Sequence, residues 1–170
     1  MKKFLTPLLS CIALAGFAQT NSRLQAKLDE QAKEIEPKVI EWRRHFHEFP
    51  ELSNRETNTG KYIADHLKAL GFEVQYPVSK TGVVGLLNGA KPGPVIGLRA
   101  DMDGLPVTER NSLAFASKVK TTFNGLETGV MHACGHDVHT ASVLGTAIIL
   151  NQLKHEFEGT VKIMFQPGEE

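Results

Sequence analysis

The chain has 170 residues with 19 basic and 19 acidic side chains, and 41% of its residues are hydrophobic, the make-up of a globular domain without net charge. No basic cluster and no interleaving of aromatic with basic residues occurs, which excludes a charge-driven nucleic-acid partner; the scattered lysines read as a solvated surface.

Residues 1–18 read as a signal peptide, with 19–170 as the mature part. Lys2 and Lys3 precede an apolar run over 4–17, and Gly16-Phe17-Ala18 forms a small-residue cleavage site before Gln19. The run is too short to span a bilayer. A lipoprotein signal at Leu8-Leu9-Ser10-Cys11 ranks lower, because the apolar run continues past Cys11. The expectation is a secreted or periplasmic protein with no stable membrane anchor once the signal is removed. About 150 residues then remain, enough for one compact core.

The mature part opens with helix. Leu24, Leu28 and Ile35 recur at helical spacing, Pro37 restarts a helix at its first turn, and Val39, Trp42, Arg43 and Phe46 continue one face until Pro50. His45 and His47 fall on different sides of this pattern and are read as surface or packing residues. Ser53-Asn54-Arg55-Glu56 has the form of a capping box, predicting a helix through Tyr62, Ile63, Leu67 and Leu70 that Gly71 closes. His66 is expected on its surface.

Beyond Gly71 the period changes from helical to alternating. Strands are predicted over 72–76 and 82–87, then a turn-rich connection over 88–94, then a buried strand at Val95-Ile96-Gly97-Leu98. That strand delivers Arg99, Asp101 and Asp103 to its C-terminal edge, where open α/β sheets place ligands; the alternative is ordinary turn chemistry before Pro106. Residues 109–128 read as a long loop near the site. Val138, Ala141, Ser142, Gly145, Ile148 and Ile149 give an apolar helix to about residue 153, its small residues permitting close packing on a sheet. A last strand alternates through Val161, Ile163 and Phe165 and ends at Pro167-Gly168-Glu169-Glu170.

Between the loop and the apolar helix lies Met131-His132-Ala133-Cys134-Gly135-His136-Asp137-Val138-His139. Cys134 and His136 flank a glycine whose conformational freedom lets both side chains turn to one point, a pairing that suits a divalent ion such as zinc. Asp137 is placed to cap the helix and His139 lies about one turn in. With Cys11 in the signal, Cys134 would be the lone thiol of an exported protein, and ligation would protect it. Glu169 and Glu170, adjacent on an extended segment, diverge, so that one can bind metal while the other moves a proton. The bland reading of this pair is a charged tail.

Four motifs together carry a resemblance: His47-Glu48-Phe49-Pro50-Glu51-Leu52-Ser53, Arg99-Ala100-Asp101-Met102-Asp103-Gly104-Leu105-Pro106, the cysteine–histidine stretch above, and Phe165-Gln166-Pro167-Gly168-Glu169-Glu170. The chain resembles, from about Val39 onward, the metal-dependent amidohydrolases that include hippurate hydrolases, N-acyl-amino-acid hydrolases and auxin-conjugate hydrolases, relatives of carboxypeptidase G. Gly104 stands where this family often has alanine.

The resemblance implies an α/β fold, a mixed β-sheet flanked by helices of the zinc-exopeptidase type. It implies two divalent ions, zinc or manganese first and cobalt or nickel as options, and a substrate that is a small N-acyl amino acid or peptide. By the same resemblance Cys134, His136 and Glu170 are metal ligands, Glu169 is the general base and later proton donor, Asp101 or Asp103 orients a ligand or the water, and Asp137 and His139 support the loop. Relatives continue with two further metal-binding histidines and a smaller domain that covers the site and often dimerises. The chain therefore reads as the N-terminal part of a catalytic domain. Two other classes stay open: a thiol hydrolase with Cys134 as nucleophile, and a metal-binding fragment without activity.

Overall fold

The computed structural model describes residues 22–170. The expected signal over 1–18, with Cys11, lies outside the described residues. The elements in chain order are helices α1 (Ser22–Glu48) and α2 (Thr57–Ala69), strands β1 (Glu73–Val78), β2 (Gly82–Asn88), β3 (Val95–Asp101), β4 (Lys120–Phe123) and β5 (Leu126–Gly129), helix α3 (His136–Gln152) and strand β6 (Thr160–Gln166).

The α/β expectation holds: a four-stranded mixed sheet runs in the order β1-β2-β6-β3. β1 and β6 lie antiparallel to β2, whereas β3 pairs parallel with β6. The parallel pair is joined through α3, the crossover that parallel strands require. Alternation along β2 and β6 decides which face is inside: Val83 and Leu87, and Val161, Ile163 and Phe165, all enter the core. Opposite them pack Ile63, Ala64 and Leu67 of α2 and Ala141, Leu144 and Ala147 of α3, with Trp42 and Phe46 of α1 closing the cluster. Full burial of side chains such as Ile63, Leu67 and Phe165 contributes about 1.5–3 kcal/mol each.

Several expectations change. α1 runs unbroken through Pro37, with no restart; the one backbone bond that proline removes is outweighed by packing along α3. Gly145 serves that helix contact rather than the sheet, since a Cβ there would stand 2.6 Å from Val39. The capping box does not form: α2 begins at Thr57 without a cap from Ser53 or Glu56, and the Glu51 carboxylate instead accepts from the backbone amides of Asn58 and Thr59 at 3.2 and 2.8 Å. β3 is not a buried strand. Among the described residues it is an edge that pairs with β6 alone, leaving Val95 66% and Ile96 58% exposed, and its C-terminal end, Ala100 and Asp101, is buried where α3 crosses it. The expected loop over 109–128 contains a two-stranded hairpin, β4–β5, which the weak periodicity of Thr121, Thr122 and Thr128 concealed.

Candidate metal centre

The C-terminal ends of β3 and β6 lie side by side, because the parallel register pairs Asp101 with Gln166. The Asp101–Asp103 segment and the Pro167–Glu170 turn therefore leave the sheet at one place. Helix α3 begins at the same edge with His136. Its N-cap is Gly135, at φ 98° in the left-handed region that glycine accepts without strain. Asp137 does not cap the helix as expected; no side chain does. A residue already inside the first turn has left the cap position, although its charge still suits the positive helix end.

His136 is 2% exposed, and its two nitrogens have different company. Nδ1 lies 2.9 Å from the Asp103 carbonyl oxygen, which can only accept, so Nδ1 carries the hydrogen and Nε2 keeps a free lone pair. The partner on the second nitrogen is thus a backbone carbonyl. Nε2 lies 3.6 Å from Asp101 Oδ1, 3.6 Å from Glu169 Oε2 and 3.8 Å from Glu170 Oε1. These separations are too long for hydrogen bonds. They match ligands sharing one ion: donors about 2.0–2.3 Å from a tetrahedral centre stand roughly 3.3–3.8 Å apart.

Two donor sets meet at this imidazole. Cys134, His136 and Glu170 bring a sulfur, a nitrogen and an oxygen within 4.8 Å of one another, and Asp101, His136 and His139 form a second set on the same criterion. The sulfur, nitrogen and oxygen of the first set fit a divalent cation of borderline softness; the second set draws on the same Nε2, whose single lone pair serves one ion, and its Asp101 and His139 are hydrogen-bonded to each other at 2.7 Å.

The two aspartates are held ionised. Burial acts against the charge of Asp101, but the His139 hydrogen bond at 2.7 Å, the neighbouring histidines and Arg99 outweigh it and hold its pKa below the ordinary value. Arg99 Nη1 donates to its other oxygen at 2.9 Å. Burial also opposes the charge of Asp103, and there the Ser53 hydroxyl at 2.6 Å and the Glu170 amide at 3.0 Å prevail. The two aspartates so acquire separate tasks: Asp101 faces the donor cluster, and Asp103 ties the His136 ring to the Glu170 backbone. The Cys134 thiol is pushed the other way. Its hydrogen bond with Glu170, then burial and the charges of Glu170, Glu169 and Asp101, raise its pKa. A nucleophilic thiol needs the reverse, so the thiol-hydrolase alternative gains nothing from this surrounding.

Asp137 and His132 stand apart from the donor sets. Asp137 turns toward α1, where Oδ2 meets His47 Nδ1 at 2.8 Å and Arg43 Nε at 2.9 Å. His47, read from sequence as surface or packing, is 3% exposed and reaches Glu109 Oε1 with its other nitrogen at 2.8 Å. His132 is buried, and burial lowers its pKa to about 4, leaving the ring neutral. Sequence reading also missed Ser53 and Thr140, which hold Asp103 and the Asp101 carbonyl. The one signal for Ser53 was its place inside the first family-like motif; Glu109 had none.

Residues 97–170 match the model of peptidase family M20/M25/M40. The chain is 49% identical over 148 residues to thermostable carboxypeptidase 1 of Saccharolobus solfataricus, covering 86% of this chain and 36% of that protein. It is 46% identical over 138 residues to an N-acyl-L-amino acid amidohydrolase of Geobacillus stearothermophilus, covering 81% of this chain and 35% of that one. Among solved structures it is similar to a dinuclear metal-binding M20 peptidase from Bacillus subtilis, with a TM-score of 0.72, 47% identity, and coverage of 81% of this chain and 36% of the other. The chain thus spans about a third of the length of these relatives. The fold and these matches show that the chain belongs to peptidase family M20/M25/M40.

Proposed function

We propose that this chain supplies the ion-binding and proton-transfer part of a hydrolase that cleaves the amide bond of N-acyl amino acids or small peptides. The observation that carries this reading is His136 Nε2, a lone pair 3.6–3.8 Å from three carboxylate oxygens and grouped with the Cys134 sulfur. Cys134, His136 and Glu170 would hold one divalent cation. Two such cations, when bound, supply Lewis-acid polarisation of the scissile carbonyl and make water acidic enough to attack it. Zinc suits the sulfur and nitrogen donors and manganese the oxygens; cobalt and nickel are the further options. The amide class is supported by what the Geobacillus relative is named for.

Glu169 is the proton carrier. Its side chain is 39% exposed at the mouth of the cluster, open to substrate, while Oε2 stays near His136. Oε2 takes a proton from the attacking water and returns it to the leaving amine, so one carboxylate serves both halves of the reaction. Asp103 holds the ring of His136 by its carbonyl and the backbone of Glu170 by its carboxylate. His139 and Asp101 form a hydrogen-bonded pair beside the cluster, with Arg99 bracing Asp101. Residues 1–18 support an exported location, and the resemblance supports a homodimer of the full-length protein.

The test is elemental analysis of the full-length protein together with hydrolysis of a simple N-acyl amino acid. The expected result is about two ions per chain, and a Glu169→Gln variant that keeps both ions while turnover falls by about 100-fold or more. An active protein without metal, or a Glu169→Gln variant with undiminished turnover, would overturn the reading.

A further inference from the structure

Glu56 is a carboxylate with 0% exposure, 113 positions before Glu169, and no step above uses it. It does not cap α2. Both hydrogen bonds to its carboxylate come from neutral donors: the Thr81 hydroxyl gives 2.6 Å to Oε2, and the Gly168 backbone amide gives 2.8 Å to Oε1. Burying a carboxylate on neutral donors is costly, and the fold keeps it at one particular place.

That place is the turn carrying the two glutamates. Gly168 has φ 61°, in the left-handed region, and a Cβ there would stand 2.4 Å from the Asn54 side chain. Pro167 lies against Gly82, beside Thr81, where a Cβ would meet the proline ring at 2.8 Å. The turn is therefore gripped on both sides by the 53–56 segment and by the start of β2. Its backbone amides are anchored on either side of Glu169: Gly168 N–H on Glu56, and Glu170 N–H on Asp103. The Glu169 side chain projects from the residue between two fixed amides.

We propose that Glu56 is a positioning residue for Glu169, holding through Gly168 the backbone from which the proton-carrying side chain reaches the cluster. The inference rests on the reading of Glu169 as general base. Glu56 and Asp103 then hold the turn from its two ends, Glu56 through the Gly168 amide and Asp103 through the backbone of Glu169 and Glu170. Displacement of a catalytic group by about 1 Å is enough to slow a reaction about 100-fold, which sets the scale of the effect.

The experiment uses the full-length protein loaded with metal, with kcat, KM and ion content measured for Glu56→Ala, Glu56→Gln and Thr81→Val. Glu56→Ala should lower kcat by roughly 10- to 100-fold with KM within about threefold and ion content unchanged. Glu56→Gln keeps an oxygen facing Gly168, with its amide turned to the Thr81 hydroxyl, and should restore most of kcat. Thr81→Val frees Oε2 and should lower kcat by several-fold, which tests the idea even if Glu56→Ala does not fold. In the Glu169→Gln background, Glu56→Ala should cause no further loss. Unchanged kcat in both Glu56→Ala and Thr81→Val, or a fall in kcat that tracks loss of ions, overturns the proposal. Should Glu169→Gln itself retain turnover, the failure belongs to the general-base reading instead.

Discussion

Two buried histidines, His47 near the end of α1 and His136 at the start of α3, each sit among carboxylates, and their distances separate them. His47 touches Asp137 and Glu109 at 2.8 Å through its two nitrogens, and Arg43 shares Asp137 at 2.9 Å. That cluster closes on itself, every one of these contacts at hydrogen-bond distance and with Arg43 as its fixed cation. Around His136 one nitrogen is satisfied by a carbonyl and the other faces oxygens at 3.6–3.8 Å, with a thiol alongside. There the acidic groups are spaced for a cation between them. The same residue types thus make a structural tie in one place and an ion cradle a few ångströms away, and ligand spacing rather than composition tells them apart.

The comparison is broken most severely at His136. His136→Gln in the full-length protein should lower metal affinity by more than about 100-fold, beyond the loss seen when only a ligand's supporting group is removed. Stability without metal should change little by comparison, which chelator titration and thermal unfolding of the stripped protein would show. Next in size is His47→Ala, which leaves Asp137 and Glu109 buried without their shared partner. Breaking such a buried pair costs about 3–5 kcal/mol, read as a lowered urea midpoint, while ions per chain stay unchanged. If His47→Ala empties the metal centre at temperatures where the protein stays folded, the two clusters are one.

The smallest effect is a pH dependence that belongs to the His47 cluster. Burial opposes the charge of Glu109, but the His47 hydrogen bond, the Ser117 amide, the Asn111 side chain and the His47 charge together hold its pKa below the ordinary 4.5. The stabilisation is complete above pH 4.5, where folded and unfolded carboxylates are both ionised. It is lost as pH falls from there through the lower folded value, because the unfolded chain takes the proton first. Glu109→Gln should therefore cost on the order of 1–3 kcal/mol at neutral pH and flatten the loss of stability below pH 4.5. Unfolding midpoints measured across pH 3–7 would check the slope; a variant as steep as the parent would remove Glu109 from the account.

What could be read in the linear chain was what is local. The ligand loop is legible because Cys134, His136 and the helix they start lie within a few residues, so a tight glycine turn and one helical turn suffice to gather them. The alternation of β6 and the apolar sides of α2 and α3 are likewise short-period patterns that burial imposes on any strand or helix. The capping-box reading of Ser53 and Glu56 shows the limit. The pattern was sound as local chemistry, but Asp103 and Gly168, 50 and 112 residues away, offered those side chains stronger partners once the sheet had brought them near.

The sequence by itself determined the α/β class and the family-like motifs, because each rests on residues close in order or on periodicity. The tertiary structure alone decided that His136 presents Nε2 and not Nδ1, that Asp101 and Asp103 have different tasks, that β3 is an exposed edge among the described residues, that the His47 and Glu109 side chains meet out of solvent, and that Glu56 is buried on Thr81 and Gly168. Those facts depend on which distant backbone or carboxylate arrives within 3 Å of a side chain, and that follows from the parallel pairing of β3 with β6 and the packing of α1 on α3. No pattern of neighbours along the chain encodes such a meeting.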